Sequence, residues 1–389
     1  MPGRPAPDTV FAPTWTPTKK NRFSHRSATI RGPRADRPGP GRLGVIADDF
    51  TGAGDAALAL ADRGWTVEFH ARPGDRPGPR VRAWVINTDS RHDAPARAAA
   101  KVRSAVRSLR RWGAVRLYKK IDSTLRGPLG AETDAFLRAG KFAGPLFFIP
   151  AFPGAGRTVV GGRLLVNGVP LNRTPFGRDP RSPRRTARVA ALLRRPRGLD
   201  RRLTIPEVPD NAALRRAARR AAEDPAALGS SAFLGVYAGR GTGRAALPAV
   251  PRARSGAVVA GSAHPRTAEQ LRYLESRLHR GNFPARWNVH IVQAPRRRAA
   301  AETVLRSLLA SARGLSKARP SPRWVLTGGE TALRLVKYWG QNRWRIIGKI
   351  APGVPLCRSE AGATREMVLK PGGFGSTDVL WKSLNGATA

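Results

Sequence analysis

Four stretches of this chain gather side chains that can move protons, bind anions or bring backbone close to phosphate. The first, Asp48-Asp49-Phe50-Thr51-Gly52-Ala53-Gly54-Asp55, holds three carboxylates and a hydroxyl within eight residues. Such a set suits hydrogen bonding to a polyol and proton abstraction from a hydroxyl. A plainer assignment competes with it, in which Asp55 caps a helix and Asp48 faces solvent. The second stretch, Lys119-Lys120-Ile121-Asp122-Ser123-Thr124-Leu125-Arg126-Gly127, places cations, a carboxylate and two hydroxyls together. It fits an anionic substrate, because guanidinium binds carboxylate through two parallel N–H bonds; Ser123 and Thr124 also suit a helix cap. The third runs from Pro150 through Gly156-Arg157-Thr158 and Gly161-Gly162 to Asn167-Gly168. Its glycines and prolines enforce a loop shape, and Asn167-Gly168 favours a tight hairpin turn. The fourth group is Gly261-Ser262, Thr327-Gly328-Gly329-Glu330-Thr331 and Lys370-Pro371-Gly372-Gly373-Phe374-Gly375. Glycines between a strand and a helix let backbone N–H groups approach phosphate oxygens, and three such turns in one region favour a nucleotide site. No Walker or kinase-type glycine loop is present.

To act together, these residues must stand where strands end. Residues 43–47 read as a buried strand, TGAGD as a turn, and 55–63 as a helix closed by Gly64. Strands follow at 65–71, 81–87 and 115–121, with a helix at 95–112 between the last two. PLFFIPAF reads as a further strand and 184–195 as an Arg-rich helix. Beyond a stretch rich in glycine and proline, strand and helix alternate again: GAVVA, 267–278, NVHIVQA, 299–312, RWVLT and 331–339. Alternation of this kind predicts an α/β fold of two domains, each a mainly parallel sheet flanked by helices, with a cleft between them and ligands beyond the carboxyl ends of the strands. The boundaries follow: a disordered, basic, proline-rich tail at 1–42, a first domain at 43–245, a linker at 246–255 and a second domain at 256–389.

A length of 389 residues leaves room for real cores in both domains. The single cysteine, Cys357, excludes an intramolecular disulfide and fits a reducing compartment such as the cytoplasm. The six histidines show no metal-ligand spacing, so no metal ligands are expected in the chain itself. No apolar run approaches the roughly 20 residues of a membrane span. Lys and Arg number 70 against 26 Asp and Glu, a net charge of +44. That charge points toward a polyanion partner, yet Arg, Ala, Gly and Pro are abundant while Lys is scarce, the mark of GC-rich codons. Nonspecific nucleic-acid binding at low salt follows from the charge in either case, although no zinc-finger, RRM or helix-turn-helix signature occurs.

Taken in order, the segments GVIADDFTGAGDAA, YKKIDSTLRG, PAFPGAGRTVVGG, VNGVPL, FGRDP, the Gly261 turn, TGGET, IAPGVP and LKPGGFG resemble the four-carbon acid sugar kinase family, which includes D-threonate, D-erythronate and 3-oxo-tetronate kinases. The resemblance implies an N-terminal domain that binds a sugar acid and a C-terminal domain that binds ATP, with Mg²⁺ bridging phosphates. It implies that Asp48, Asp49, Thr51, Asp55, Asp122, Ser123 and Arg126 line the sugar-acid site. Ser262, Gly328, Gly329, Glu330, Thr331 and Gly372 would contact the nucleotide. Within that pattern Asp49 or Asp122 would accept the hydroxyl proton and Arg126 would clamp the carboxylate. The chain departs from the pattern where the family carries asparagine, with Gly154-Ala155-Gly156 and Gly373 in those places. A second reading keeps the same scaffold but makes the chain a basic protein whose charge engages nucleic acid.

Overall fold

The apolar runs become strands because helices cover both of their faces. The computed structural model describes residues 41–179, 181–193, 198–243, 246–280, 289–293, 301–318 and 322–386. The expected tail therefore lies outside the described residues, except for its last two; Arg42 already belongs to the fold, its carbonyl accepting from Val115 N at 2.9 Å and Arg116 N at 3.2 Å. The first half of the chain runs β1 (Leu43–Ala47), α1 (Phe50–Ala61), β2 (Val67–His70), β3 (Ala83–Asn87), α2 (Pro95–Arg111), β4 (Arg116–Lys120), α3 (Leu129–Gly140) and β5 (Leu146–Ile149). It continues with β6 (Arg157–Val160), β7 (Arg163–Val166), β8 (Val169–Pro170), α4 (Val189–Leu192), β9 (Leu203–Thr204), α5 (Asn211–Arg220), β10 (Ala226–Gly229) and α6 (Ser231–Tyr237). The second half consists of β11 (Gly256–Ala260), α7 (Pro265–His279), β12 (Val289–Gln293), α8 (Ala301–Ala318), β13 (Arg323–Thr327), α9 (Gly329–Tyr338), β14 (Arg343–Ala351), β15 (Val354–Ser359), β16 (Glu366–Lys370) and α10 (Val379–Asn385).

In the first half the strand order is β2-β3-β1-β4-β10-β5-β9, all parallel. The chain leaves β1 toward β2 and β3, then returns to add β4 on β1's other side. The sheet thus reverses direction between β1 and β4, the place where parallel sheets open a crevice for ligands. The second half repeats the device: β12 and β13 flank β11, with β16 beyond β13. The first acidic turns follow β1 and β4, and two of the glycine turns follow β11 and β13, so both groups occupy reversal points.

The two sheets are one. β15 and β14 add to β16 in antiparallel fashion, and β14 then pairs antiparallel with β2, setting Arg343 opposite His70 and Trp344 opposite Phe69. Among the described residues the result is a single 13-stranded sheet. The described residues, from 41 to 386, accordingly form one compact unit. One apolar cluster runs through both halves, from Val45 and Phe69 to Trp324, Trp344 and Leu369, and a second, around Val258, Val325 and Leu380, belongs to the second half alone.

Two local expectations are corrected. α1 begins at Phe50, five residues before the expected start, because Asp49 caps it and the glycine turn is its first turn. The long helix expected at 184–195 is the single turn α4, preceded by extended backbone in which Leu164 N donates to Ala187 O. The region after it supplies β10, a central strand between β4 and β5. The Asn167-Gly168 turn behaves as expected: both residues have positive φ, 50° and 79°, and join β7 to β8 in a small separate sheet.

Candidate active site

β1 delivers two successive carboxylates into the crevice, and one guanidinium holds both. Arg91 Nε donates to Asp48 Oδ2 at 2.7 Å, while Nη2 donates to Asp48 Oδ1 at 2.9 Å and to Asp49 Oδ1 at 2.6 Å. Asp122 Oδ1 stands 3.8 Å from the same Nη2. Burial raises the Asp48 pKa, but Arg91 outweighs it and the carboxyl ends below its ordinary value. Asp49 caps α1, accepting from Gly52 N at 2.9 Å and from Thr51 Oγ1 at 2.6 Å. A Cβ on Gly52 would fall 2.4 Å from Asp49 Oδ1, so only glycine lets the cap close.

β4 delivers the third carboxylate. Asp122 accepts from Thr124 Oγ1 at 2.5 Å and from Arg126 Nε and Nη2 at 2.7 and 3.0 Å. Against the upward push of burial, Arg126 and Arg91 hold this carboxyl well below the usual range. The turn is tight enough to put Leu125 at φ 59°, a left-handed conformation unusual for leucine. The two lysines beside it are structural: Lys119 Nζ pairs with buried Glu132 at 3.0 Å, and Lys120 Nζ donates to Ile121 O.

The glycine turns of the second half pack on one another. A Cβ on Gly261 would meet Thr331 Oγ1 at 1.9 Å, and one on Gly372 would meet Ser262 Oγ at 2.1 Å. Gly328, at φ 90°, turns the chain into α9. Beneath the third turn Lys370 Nζ donates to Pro371 O and Gly372 O at 3.0 and 2.9 Å, and burial, aided by Arg266, brings its pKa down to about 7.

Both sets of turns line one cavity of about 1160 Å³. Asp48, Asp49, Thr51, Asp122, Ser123 and Arg126 contribute from the first half; Ser262, Gly328, Gly329, Glu330, Thr331 and Gly372 contribute from the second. They meet directly, for a Cβ on Gly329 would lie 3.1 Å from Asp49 Oδ2 and 3.3 Å from Thr51 Oγ1. Two ion pairs span the same junction, Arg181 to Glu330 at 3.2 Å and Lys337 to Asp89 at 3.1 Å. Asp55 is the exception. It lies buried within α1, bonded to Ser231 Oγ at 2.5 Å, outside the cavity lining, and burial raises its pKa. The sequence marks Asn87 to Arg91, just after the third strand, as a place for functional residues, but not that Arg91 holds Asp48 and Asp49. Among the described residues no cluster of three or more His, Cys, Asp or Glu side chains could hold a metal ion, and no helix is long and apolar enough to cross a membrane.

Two family models match parts of the chain. Residues 43–229 match a sugar-binding N-terminal domain model and 288–380 a nucleotide-binding C-terminal domain model. The chain is 31% identical over 396 residues to the D-threonate kinase of Bordetella bronchiseptica, covering 87% of this chain and 95% of that protein. It belongs to the four-carbon acid sugar kinase family. Another family member, the 3-oxo-tetronate kinase of Methylobacterium radiotolerans, is 31% identical over 88% of this chain and 98% of its own length. The match to the Salmonella typhimurium D-threonate kinase, at 38% identity, spans 53% of this chain and 45% of that protein. A crystal structure from Haemophilus influenzae shares the fold of the family at a TM-score of 0.68 and 22% identity, over 88% of this chain and 99% of that one. The nucleic-acid reading drew on charge alone, and neither domain match favours it.

Proposed function

We propose that this protein transfers the γ-phosphoryl group of ATP to a terminal hydroxyl of a four-carbon sugar acid of the threonate, erythronate or 3-oxo-tetronate type. One observation carries the reading: acid-rich turns and glycine turns line a single cavity and touch at Asp49 and Gly329. Phosphoryl transfer is chiefly positioning and charge stabilisation, so acceptor and donor must meet in line within one site. In this reading the part from 43 to 245 takes the sugar acid, the part from 256 to 389 takes the nucleotide, and 246–255 link them.

The roles follow from surroundings. Thr51, Ser123 and Arg126 face the sugar acid, and buried Asp48 keeps Arg91 in place. The N-terminus of α9, with Gly328 to Thr331, offers backbone N–H groups and the positive end of its dipole to the phosphates; Ser262 and Gly372 border them. Of the two candidate bases, Asp122 is the poorer proton acceptor, since Arg126 and Arg91 overcome its burial and hold it ionised. Asp49 abuts the glycine turn, so its carboxylate takes the proton as the hydroxyl oxygen bonds to the γ-phosphorus and the bond to the β–γ bridging oxygen breaks, releasing ADP. Mg²⁺, arriving with ATP, supplies neutralisation of phosphate charge; a site with few free carboxylates suits an ion held mainly by phosphates and water.

A coupled assay of ADP release over a panel of tetronates tests this. Turnover with at least one acid, abolished in Asp49→Ala and Arg126→Ala, is the expected result. Absence of turnover with every four-carbon acid, alongside salt-dependent DNA binding, would instead favour the nucleic-acid reading.

A further inference from the structure

We infer that Arg157 recognises the carboxylate of the sugar acid and thereby sets the preference for acids over neutral polyols; this rests on the sugar-acid reading above. Among the described residues, six arginines line the cavity; Arg97, Arg181 and Arg334 pair with Asp93, Glu330 and Glu302, which leaves Arg91, Arg126 and Arg157, the three that act on Asp122. Two of these three are already committed. Arg91 spends Nε and Nη2 on Asp48 and Asp49, and Arg126 spends Nε and Nη2 on Asp122. Arg157 is different. Its Nη1 donates to Ala155 O, its Nε is buried without a partner, and among the described residues it forms no ion pair. The edge that matches a planar carboxylate is therefore left without a protein partner at its Nε.

The electrostatics separate the three in the same way. Despite burial, neighbouring carboxylates raise the pKa of Arg91, and Asp122 raises that of Arg126. For Arg157, burial dominates and Arg126 adds to it, so its pKa falls below the ordinary value in spite of Asp122. Arg157 is partly buried with its Nε shut off from water and unpartnered; a cation so placed without a counter-ion is costly, and a ligand carboxylate would relieve that cost.

The side chain is also held in place, as recognition requires. Phe152 N donates to Arg157 O at 2.8 Å and Arg157 N to Phe152 O at 3.0 Å. Gly156, at φ 73°, precedes it and lies so close to Asn167 that a Cβ would fall 1.9 Å from Asn167 Oδ1. The Phe176 ring centroid stands 5.5 Å from the guanidinium carbon. The glycine-rich third stretch of the sequence thus acquires a purpose: its turns aim Arg157 at the cavity.

The test compares Arg157→Gln with the wild type on a tetronate and on the matching tetritol, which lacks the carboxylate. Losing a charge-assisted pair should raise KM for the acid by about 10- to 100-fold, leave KM for ATP unchanged, and shrink the acid-to-polyol preference by the same factor. Thermal stabilisation by the tetronate, measured without ATP, should fall in step, while the tetritol response stays the same. An unchanged acid KM and unchanged stabilisation in the variant would overturn the inference. A wild type that no four-carbon acid stabilises would overturn the sugar-acid reading and this inference with it. If Arg157→Gln fails to fold, Arg157→Lys, which keeps charge but loses the two-point edge, decides: a rise in acid KM of about fivefold or more supports the assignment and no rise refutes it.

Discussion

Asp49 differs from the two carboxylates beside it in what it faces. Asp48 is buried against Arg91 and Asp122 is tied by Arg126, while Asp49 shares Arg91 but also reaches the glycine turn of α9. Replacing it with asparagine preserves most of the helix cap but removes the proton acceptor. We expect Asp49→Asn to lower kcat by about 10²- to 10⁴-fold with a much smaller change in tetronate affinity, measured by steady-state kinetics and calorimetric binding. Lys370 offers a separate test on stability. Its folded pKa is about 7 against an ordinary 10.5, so between those values the unfolded chain binds more protons than the folded one. Stability should therefore rise with pH from about 7 toward 10, and below 7 the contribution is flat because both states are protonated. In denaturant titrations across that range, Lys370→Met should flatten the slope; an identical slope would show that Lys370 does not carry it.

Elements bring these residues together through glycine. α1 starts at Phe50 only because Gly52 leaves room for the Asp49 cap, and Gly54 admits Leu369, where a Cβ would fall 2.6 Å from Cδ2. α9 abuts α1 through Gly329 in the same manner. A methyl group there would crowd Asp49 Oδ2 and Thr51 Oγ1. Alanine is otherwise favourable in a helix, by up to about 1 kcal/mol over glycine. We expect Gly329→Ala to keep the melting temperature within about 2 °C of wild type while lowering kcat/KM by about tenfold or more, because small misplacements of the reacting groups are expensive. Normal kinetics in this variant would mean that the contact between α1 and α9 is not part of the working site.

At the scale of the molecule, the notable feature is the join between β2 and β14. Two sheets expected to be separate share one hydrogen-bonded ladder and the larger of two apolar clusters. The two halves should unfold together, giving a single calorimetric transition with the enthalpy of a two-state process; two resolved transitions would show that the seam couples them only weakly. The seam also limits how the cavity changes shape, since motion of α9 relative to the first half must strain the pairs Arg181–Glu330 and Lys337–Asp89 rather than swing on a free hinge.

Much of this was legible in the chain itself. Alternating apolar runs and glycine or acidic turns foretold strands β1, β4, β11 and β13 and the residues that follow them, because local periodicity and turn chemistry are properties of a few consecutive residues. The same locality explains what was missed. Nothing near Arg91 or Arg157 reveals which acids they meet, and Asp55 resembles its neighbours in sequence while pointing into the core instead of the cavity. Whether β14 closes on β2 is likewise invisible along the chain. Those outcomes depend on contacts between residues far apart in sequence, and only packing of the whole sheet decides which charges are paired, which remain open to a ligand, and where the two sets of turns meet.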